Sequence, residues 1–140
     1  MKILVTGANG YLGHGIVKTI LDAGIEVIAN DFRVDSIDKR AKIIAGNIFE
    51  VENPYDYFEQ PDILLHLAWR DGFVHYSNAH INDLPNHFIF IKRMVESGCK
   101  QIAVMGSMHE IGFFEGSINE NTPCRPTTPY GIGKNALRDL

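Results

Sequence analysis

The sequence of 140 residues is poor in the features that mark several large classes of protein. It has only two cysteines, Cys99 and Cys124, too few for a disulfide framework and without the spacing of a metal site. Free thiols fit a reducing compartment best. No apolar run approaches the roughly 18 residues of a membrane-spanning helix, and the N-terminus lacks the pattern of a signal peptide. We therefore expect a cytoplasmic protein with no membrane partner and no metal.

The charge is also nearly balanced, with 13 basic and 17 acidic residues and a net charge of -4. Such a chain has no excess of positive charge to draw it onto nucleic acid, so we expect no nucleic-acid partner. Hydrophobic residues make up 45% of the sequence and charged residues 21%, which is ordinary for a globular domain. The length suffices for one domain.

Short apolar runs alternate along the chain with stretches of helical periodicity. The runs predict strands at 3–5, 26–30, 42–45, 62–66 and 101–105. The periodic stretches predict helices at 11–23, at roughly 76–97 and from about Tyr130. In the second of these, Pro85 should lie in the first turns or mark a kink. This alternation predicts an α/β fold with a parallel sheet and right-handed crossovers. Only about ten residues join the second and third strands, so we expect a loop or short turn there.

The first candidate site is a glycine-rich turn at residues 6–13, between the first strand and the first helix. Gly7, Gly10 and Gly13 permit a tight turn, close approach of the backbone to a pyrophosphate, and close packing of helix on strand. The N-terminus of the helix offers N–H groups to the phosphates. The spacing Gly-x-x-Gly-x-x-Gly predicts a dinucleotide site, and a plain structural turn is the alternative.

The second candidate is Asp31, at the end of the second strand and 18 positions after Gly13. An acid there accepts hydrogen bonds from the adenosine ribose hydroxyls of NAD. Arg33 could instead hold the 2′-phosphate of NADP, but an anionic Asp31 would repel that phosphate. The pair therefore favours NAD over NADP, and the alternative is a loop acid that starts a turn.

The third candidate is formed by Ser107, Tyr130 and Lys134. The spacing Tyr-x-x-x-Lys places both side chains on one face of a helix. A lysine ammonium beside a phenol favours the phenolate, which can exchange a proton with a substrate oxygen while a serine hydroxyl orients that oxygen. Taken alone, the pattern also fits a tyrosine and a lysine that are both exposed on the surface of one helix. The candidates before Tyr130, however, all follow predicted strands, where parallel sheets bind ligands.

Together these residues resemble the extended short-chain dehydrogenase/reductase family, which is rich in nucleotide-sugar epimerases, dehydratases and reductases. The resemblance rests on residues 6–13, on His66, Leu67 and Ala68, on residues 119–126 and on residues 129–134. It implies a Rossmann-like open parallel sheet of five strands in the order 3-2-1-4-5 with flanking helices. It also implies NAD as cofactor and a nucleotide sugar as substrate.

The resemblance implies a role for each matching residue. Tyr130 is the expected general acid/base, Lys134 holds the nicotinamide ribose and tunes Tyr130, and Ser107 orients the reacting hydroxyl or ketone. Asn47 stands where the family usually has an aspartate that contacts adenine, and Asn82 matches a structural asparagine. The full set of expected cofactor residues is Gly7, Asn9, Gly10, Tyr11, Leu12, Gly13, Asp31, Phe32, Asn47, Ile48, Leu67, Ala68, Tyr130 and Lys134.

Two departures from the family pattern narrow the expected reaction. Only one serine follows the fifth strand, and Met108 and His109 stand where dehydratases carry Asp-Glu. The acid and base for loss of water are therefore missing, which argues against a 4,6-dehydratase. Trp69 and this Met-His pair could shape a pocket or simply pack.

The resemblance implies NAD-dependent hydride transfer at a sugar carbon, with C4 as the expected position, either as an epimerase or as a 4-ketosugar reductase or dehydrogenase. A non-catalytic dinucleotide sensor is the alternative. Because family members are about twice as long, we expect residues 1–140 to be an NAD(P)-binding domain cut short after the catalytic helix. The substrate domain would be missing, and the chain alone would be inactive. We also expect a homo-oligomer, most simply a dimer.

Overall fold

The computed structural model describes all residues from 1 to 140. Its five strands are β1 Lys2–Thr6, β2 Glu26–Asp31, β3 Lys42–Ala45, β4 Ile63–His66 and β5 Gln101–Val104. They form one sheet in the order β3-β2-β1-β4-β5, and every pairing is parallel. The predicted fold class and strand order are therefore confirmed.

The helices are α1 Tyr11–Asp22, α2 Pro54–Tyr57, α3 Ala79–Asn82, α4 Leu84–Glu96 and α5 Pro129–Asp139. Short 3-10 helices lie at Ile48–Glu50 and Met108–Glu110. No helix intervenes between β2 and β3, as predicted. No helix is long and apolar enough to cross a membrane.

The prediction of one helix over roughly 76–97 is wrong, because Asp83 separates α3 from α4. Pro85 explains the interruption. A proline has no N–H to donate, and its ring clashes with the carbonyl four residues earlier, here that of Ile81. It is well placed as the second residue of a new helix, where the missing donor costs nothing.

The sheet lies in a compact unit formed by residues 1–68 and 89–105. Successive residues of β1 point to opposite faces, so Ile3 and Val5 pack in one apolar cluster with Val17 of α1. Leu4 packs in a second cluster with Phe58. Because both faces are covered, the central strands are apolar along their whole length, as in other parallel sheets.

A second compact unit is formed by residues 69–88 and 106–140. It contains α3, α5 and the 3-10 helix Met108–Glu110. Two glycines of α5 permit close contact with the neighbouring backbone. A Cβ at Gly131 would lie 2.3 Å from the carbonyl oxygen of His109, and one at Gly133 would lie 2.8 Å from that of His80.

Candidate active site

The glycine turn after β1 is packed so tightly that side chains are excluded at two of its positions. Gly7 has a φ of +70°, and a Cβ there would lie 2.7 Å from the backbone nitrogen of Ala68. A Cβ at Gly13 would lie 2.4 Å from the carbonyl oxygen of Gly7. The glycines thus bring α1 against the turn, which is the arrangement that a dinucleotide-binding turn requires.

The N-terminus of α1 fits a pyrophosphate. Gly10 is the N-cap residue, and no side chain hydrogen-bonds there to the first N–H groups of the helix. Such N–H groups and the positive end of the helix dipole favour an anion. The next two residues, Tyr11 and Leu12, are 87% and 46% exposed, so this end of α1 is not covered by its own side chains.

Asp31, the last residue of β2, holds the glycine turn through its carboxylate. One oxygen accepts the N–H of Asn9 at 2.9 Å, and the other accepts the N–H of Phe32 at 2.7 Å. Asn9 in turn accepts the N–H of Ser36 at 3.1 Å. Each carboxylate oxygen keeps a further lone pair with which it can accept a ribose hydroxyl.

The remaining expected cofactor residues of this unit differ in their exposure and in their hydrogen bonds. The side-chain oxygen of Asn47 accepts the N–H of Phe49 at 3.1 Å and so caps a 3-10 helix, which gives this asparagine a structural role as well. Ile48 is buried, whereas Phe32 is 71% exposed. Leu67 donates its N–H to the carbonyl of Thr6 at 3.1 Å, which fixes the segment beside the glycine turn.

Tyr130 lies near the N-terminus of α5 in the second unit. Thr128 is the N-cap residue, and its Oγ1 accepts the N–H of Gly131 at 3.1 Å. The Tyr130 N–H donates to the carbonyl of His75 at 3.0 Å. Three histidine rings surround the phenol, with centroids 5.2–5.3 Å from its own, and they belong to His75, His80 and His109.

Lys134 lies one turn further along α5 and is only 5% exposed. Its Nζ lies 4.1 Å from the ring centroid of Trp69, which is cation–π geometry. Burial lowers the pKa of Lys134 to about 8, and the negative charge of Glu110 acts in the opposite direction. The lysine is therefore a buried cation whose charge depends on its neighbours.

Trp69 is itself fixed by two histidines. Its Nε1, which can only donate, bonds to Nδ1 of His80 at 2.9 Å. His80 therefore carries its proton on Nε2, which donates to the carbonyl of Val74 at 2.9 Å. The His87 ring also stacks on Trp69, with the two ring centroids 4.6 Å apart. Burial, followed by the charge of Lys134, lowers the pKa of His87 to about 4.

Ser107 is the N-cap residue of the 3-10 helix Met108–Glu110. Its Oγ accepts the N–H of His109 at 3.2 Å, so the hydroxyl proton remains available for donation to another group. The Ser107 N–H donates to Oε1 of Glu110 at 2.6 Å. This backbone is therefore held by a side chain to which no role was assigned from the sequence.

The structure thus groups the predicted residues into two sets. The glycine turn, Asp31, Leu67 and Ala68 belong to the first compact unit, and Ser107, Tyr130 and Lys134 belong to the second. Sequence reasoning noted His109 as able to shape a pocket, but it missed His75 and His80 beside Tyr130. Four of the six histidines fall within positions 66–87, and this density was the available signal for those two.

A family model described as the NAD dependent epimerase/dehydratase family matches residues 3–140. The chain belongs to the NAD-dependent epimerase/dehydratase family. This confirms the resemblance on which the sequence interpretation relied.

Two curated relatives differ in the reaction that their names describe. One is a dTDP-6-deoxy-L-talose 4-dehydrogenase (NAD(+)) of Aggregatibacter actinomycetemcomitans, 45% identical over 99% of this chain and 53% of the relative. Another is a UDP-glucose 4-epimerase of Lacticaseibacillus casei, 27% identical over all of this chain and 46% of the relative. The chain spans about half the length of these relatives.

Among solved structures, a UDP-glucose 4-epimerase with UDP-glucose from Thermotoga maritima matches with a TM-score of 0.83. It is 21% identical, and the match covers 99% of this chain and 49% of that one. This likeness supports the fold of an NAD-dependent epimerase/dehydratase family member. The expected missing substrate domain stays a prediction, as does the inactivity of the chain alone.

Proposed function

We propose that the protein is an NAD-dependent oxidoreductase that acts at C4 of a nucleotide-activated sugar. The observation that carries the proposal is the buried ammonium of Lys134, one helical turn from Tyr130. A cation one helical turn from a phenol helps the phenol to give up its proton, because the two opposite charges attract each other. The 45% identity to a 4-dehydrogenase that uses NAD(+) supports the sugar position and the cofactor.

The residues of the glycine turn fit NAD. We assign the pyrophosphate to the N-terminus of α1 and the adenosine ribose to Asp31, whose charge disfavours the 2′-phosphate of NADP. The absence of space for a Cβ at Gly7 and Gly13 supports this assignment, since the turn is packed for backbone contact. Ile48, Leu67 and Ala68 belong to the same unit and would border the adenine half. NAD, when bound, accepts or returns the hydride.

The chain's own residues handle the proton. In the oxidative direction the Tyr130 phenolate takes the proton of the sugar hydroxyl on the carbon that loses its hydride. In the reductive direction the phenol returns that proton to the ketone oxygen. Ser107 donates a hydrogen bond from its hydroxyl to the sugar oxygen. Its Oγ already accepts the N–H of His109, which leaves the hydroxyl hydrogen free to point at the sugar. Lys134 holds the nicotinamide ribose and stabilises the phenolate.

A 4-epimerase is the second candidate, favoured by the relative from L. casei. The two reactions differ in the fate of the cofactor. A dehydrogenase or reductase changes the amount of NADH in proportion to product, whereas an epimerase returns each hydride and leaves the NADH concentration unchanged. The higher identity of the 4-dehydrogenase favours net oxidation or reduction.

The test supplies dTDP- and UDP-hexoses and their 4-keto-6-deoxy forms with NAD or NADH. NADH absorbance and product chromatography are followed together. Tyr130→Phe is expected to lose at least about a hundredfold in kcat, the usual contribution of a general acid/base. Tyr57→Phe, at a half-exposed tyrosine of the other unit, is the matched control and keeps its rate. Full activity in Tyr130→Phe would refute the mechanism.

A further inference from the structure

Glu110 is a buried acid that the proposed mechanism does not use. It is 5% exposed, and both of its oxygens are engaged. Oε1 accepts the N–H of Ser107 at 2.6 Å, and Oε2 pairs with Nη1 of Arg138 at 3.3 Å. A reciprocal bond between an N-cap residue and an acid three positions later is common at helix N-termini. Burial and a second, cationic partner are what distinguish this one.

Arg138 ties that carboxylate to the helix that carries Tyr130 and Lys134. It lies on α5 four residues after Lys134, so the two side chains share a face of the helix. The guanidinium is also fixed by Oδ1 of Asn135 at 2.9 Å and by Asp139 at 3.0 Å. Through Glu110, the backbone of Ser107 is therefore fastened to α5 by two hydrogen bonds in series.

The same carboxylate supplies negative charge to Lys134. Glu110 and His87 of α4 are electrostatically coupled to this lysine, Tyr130 and Arg138 lie one turn to either side of it on α5, and His80 of α3 bonds the tryptophan beneath it. His80 accepts the N–H of Trp69 at Nδ1. Burial lowers the pKa of His87 to about 4, so His87 adds no positive charge near neutral pH. Glu110 raises the pKa of Lys134 against the effect of burial.

We propose that Glu110 is a positioning residue for the reaction: its carboxylate holds Ser107 against α5 and places a buried negative charge beside the helix that carries Lys134. The inference rests on the proposed function, since it assigns to Glu110 the support of the groups that act on the sugar. Glu110 itself need not contact the substrate or the cofactor.

Trp69 allows the charge of Lys134 to be measured without any turnover. It is the single tryptophan of the chain, and the ammonium lies 4.1 Å from its ring centroid. Loss of the proton changes the field on the indole and therefore its emission. A titration above about pH 6 avoids His87, whose pKa is about 4.

The first experiment follows Trp69 emission against pH in the 140-residue chain. The unaltered chain is expected to show a midpoint near pH 8, and Lys134→Met is expected to lose this transition. Glu110→Gln keeps the size and an acceptor oxygen but removes the charge, and should lower the midpoint by about one pH unit. Glu115→Gln, at an exposed acid of the same unit, is the matched control. An unmoved midpoint in Glu110→Gln, or a transition that survives in Lys134→Met, refutes the electrostatic role.

The second experiment measures hydrogen exchange of the Ser107 amide by NMR. Arg138→Met leaves the charge of Glu110 in place but releases its anchor. The Ser107 amide should then exchange several-fold faster, while the Lys134 midpoint does not fall. Glu110→Ala should accelerate the exchange more than Glu110→Gln, because only the glutamine retains an acceptor. Equal protection in all four proteins would refute the positioning role, and circular dichroism checks that each variant is folded.

Activity gives the last readout, in the protein at its full natural length. Glu110→Gln should lower kcat several-fold with little change in KM for the sugar, and the alkaline limb of the rate profile should move down with the fluorescence midpoint. If no nucleotide sugar is turned over by the unaltered protein, the proposed function fails, while the titration and exchange results still decide the role of Glu110. A normal kcat and profile in Glu110→Gln overturns that role alone.

Discussion

Gly13→Ala should destabilise the protein because the added methyl group has no space between α1 and the glycine turn. The new Cβ would lie 2.4 Å from the carbonyl oxygen of Gly7, 2.5 Å from that of Ala8 and 2.6 Å from the Ala8 carbonyl carbon. All three are backbone atoms, so no side-chain rotation relieves the overlap. Overpacking of this kind costs about 3 kcal/mol, from which the usual gain of alanine over glycine in a helix offsets only about 1 kcal/mol.

Gly15→Ala is the matched control, since it lies on the same helix and no atom comes within 4 Å of its added Cβ. It should stabilise the chain by about 1 kcal/mol. The two variants should therefore differ by about 3 kcal/mol in the free energy of unfolding, or roughly 9 °C in Tm at this chain length. Urea unfolding followed by circular dichroism measures both. Equal midpoints for Gly13→Ala and Gly15→Ala would show that α1 does not pack against the turn as described.

Three further predictions use other parts of the chain. The pKa of His87 is about 4 in the folded protein, against an ordinary value of 6.5. Between these pH values the unfolded chain binds more protons than the folded one. The free energy of unfolding should therefore fall by about 3 kcal/mol as the pH drops from about 6.5 to about 4. Urea titrations should show this loss abolished by His87→Phe but not by His14→Phe, at an exposed histidine. Asp31→Asn keeps an acceptor for one backbone N–H but loses its charge, so calorimetry should show NAD affinity falling by on the order of tenfold while NADP affinity falls less. If the ratio of the NAD and NADP affinities did not change, the assignment of the adenosine ribose to Asp31 would be wrong. Thr128→Ala removes the N-cap of α5 and should cost about 1 kcal/mol, whereas Thr127→Ala, next to it and exposed, should cost nothing measurable in thermal unfolding.

The sheet could be predicted because its information is local. Each strand is a short apolar run, and the alternation of strand and helix limits the topology to right-handed parallel crossovers. The break between α3 and α4 was harder, since Pro85 is compatible both with a kink and with a new helix. In the structure a new helix begins at Leu84. The Pro85 ring prevents the carbonyl of Ile81 from accepting a helical hydrogen bond from residue 85.

The arrangement of the site could be predicted only for residues that lie a few positions apart in the sequence. Tyr130 and Lys134 share a helix face, and Gly7 and Gly13 share one turn, so both pairs follow from position along the chain. Trp69 could not be placed by such reasoning, because 65 positions separate it from the lysine that lies over its ring. Nothing in the periodicity of a loop indicates which distant side chain its tryptophan will contact.

Position 110 shows how a local pattern can carry a distant role. A serine followed three positions later by glutamate predicts a capping bond, and that bond is present between Ser107 and Glu110. At an exposed helix end such a bond contributes only local stability. Here the glutamate is buried and also holds Arg138, so removal of its charge takes a buried ionic partner from the arginine and a negative charge from the surroundings of Lys134. Because Arg138 is half-exposed, water can solvate it after the change, whereas Lys134 is buried from water. Loss of the Glu110 charge should therefore be seen mainly as a lower pKa of Lys134, and less as a lower free energy of unfolding.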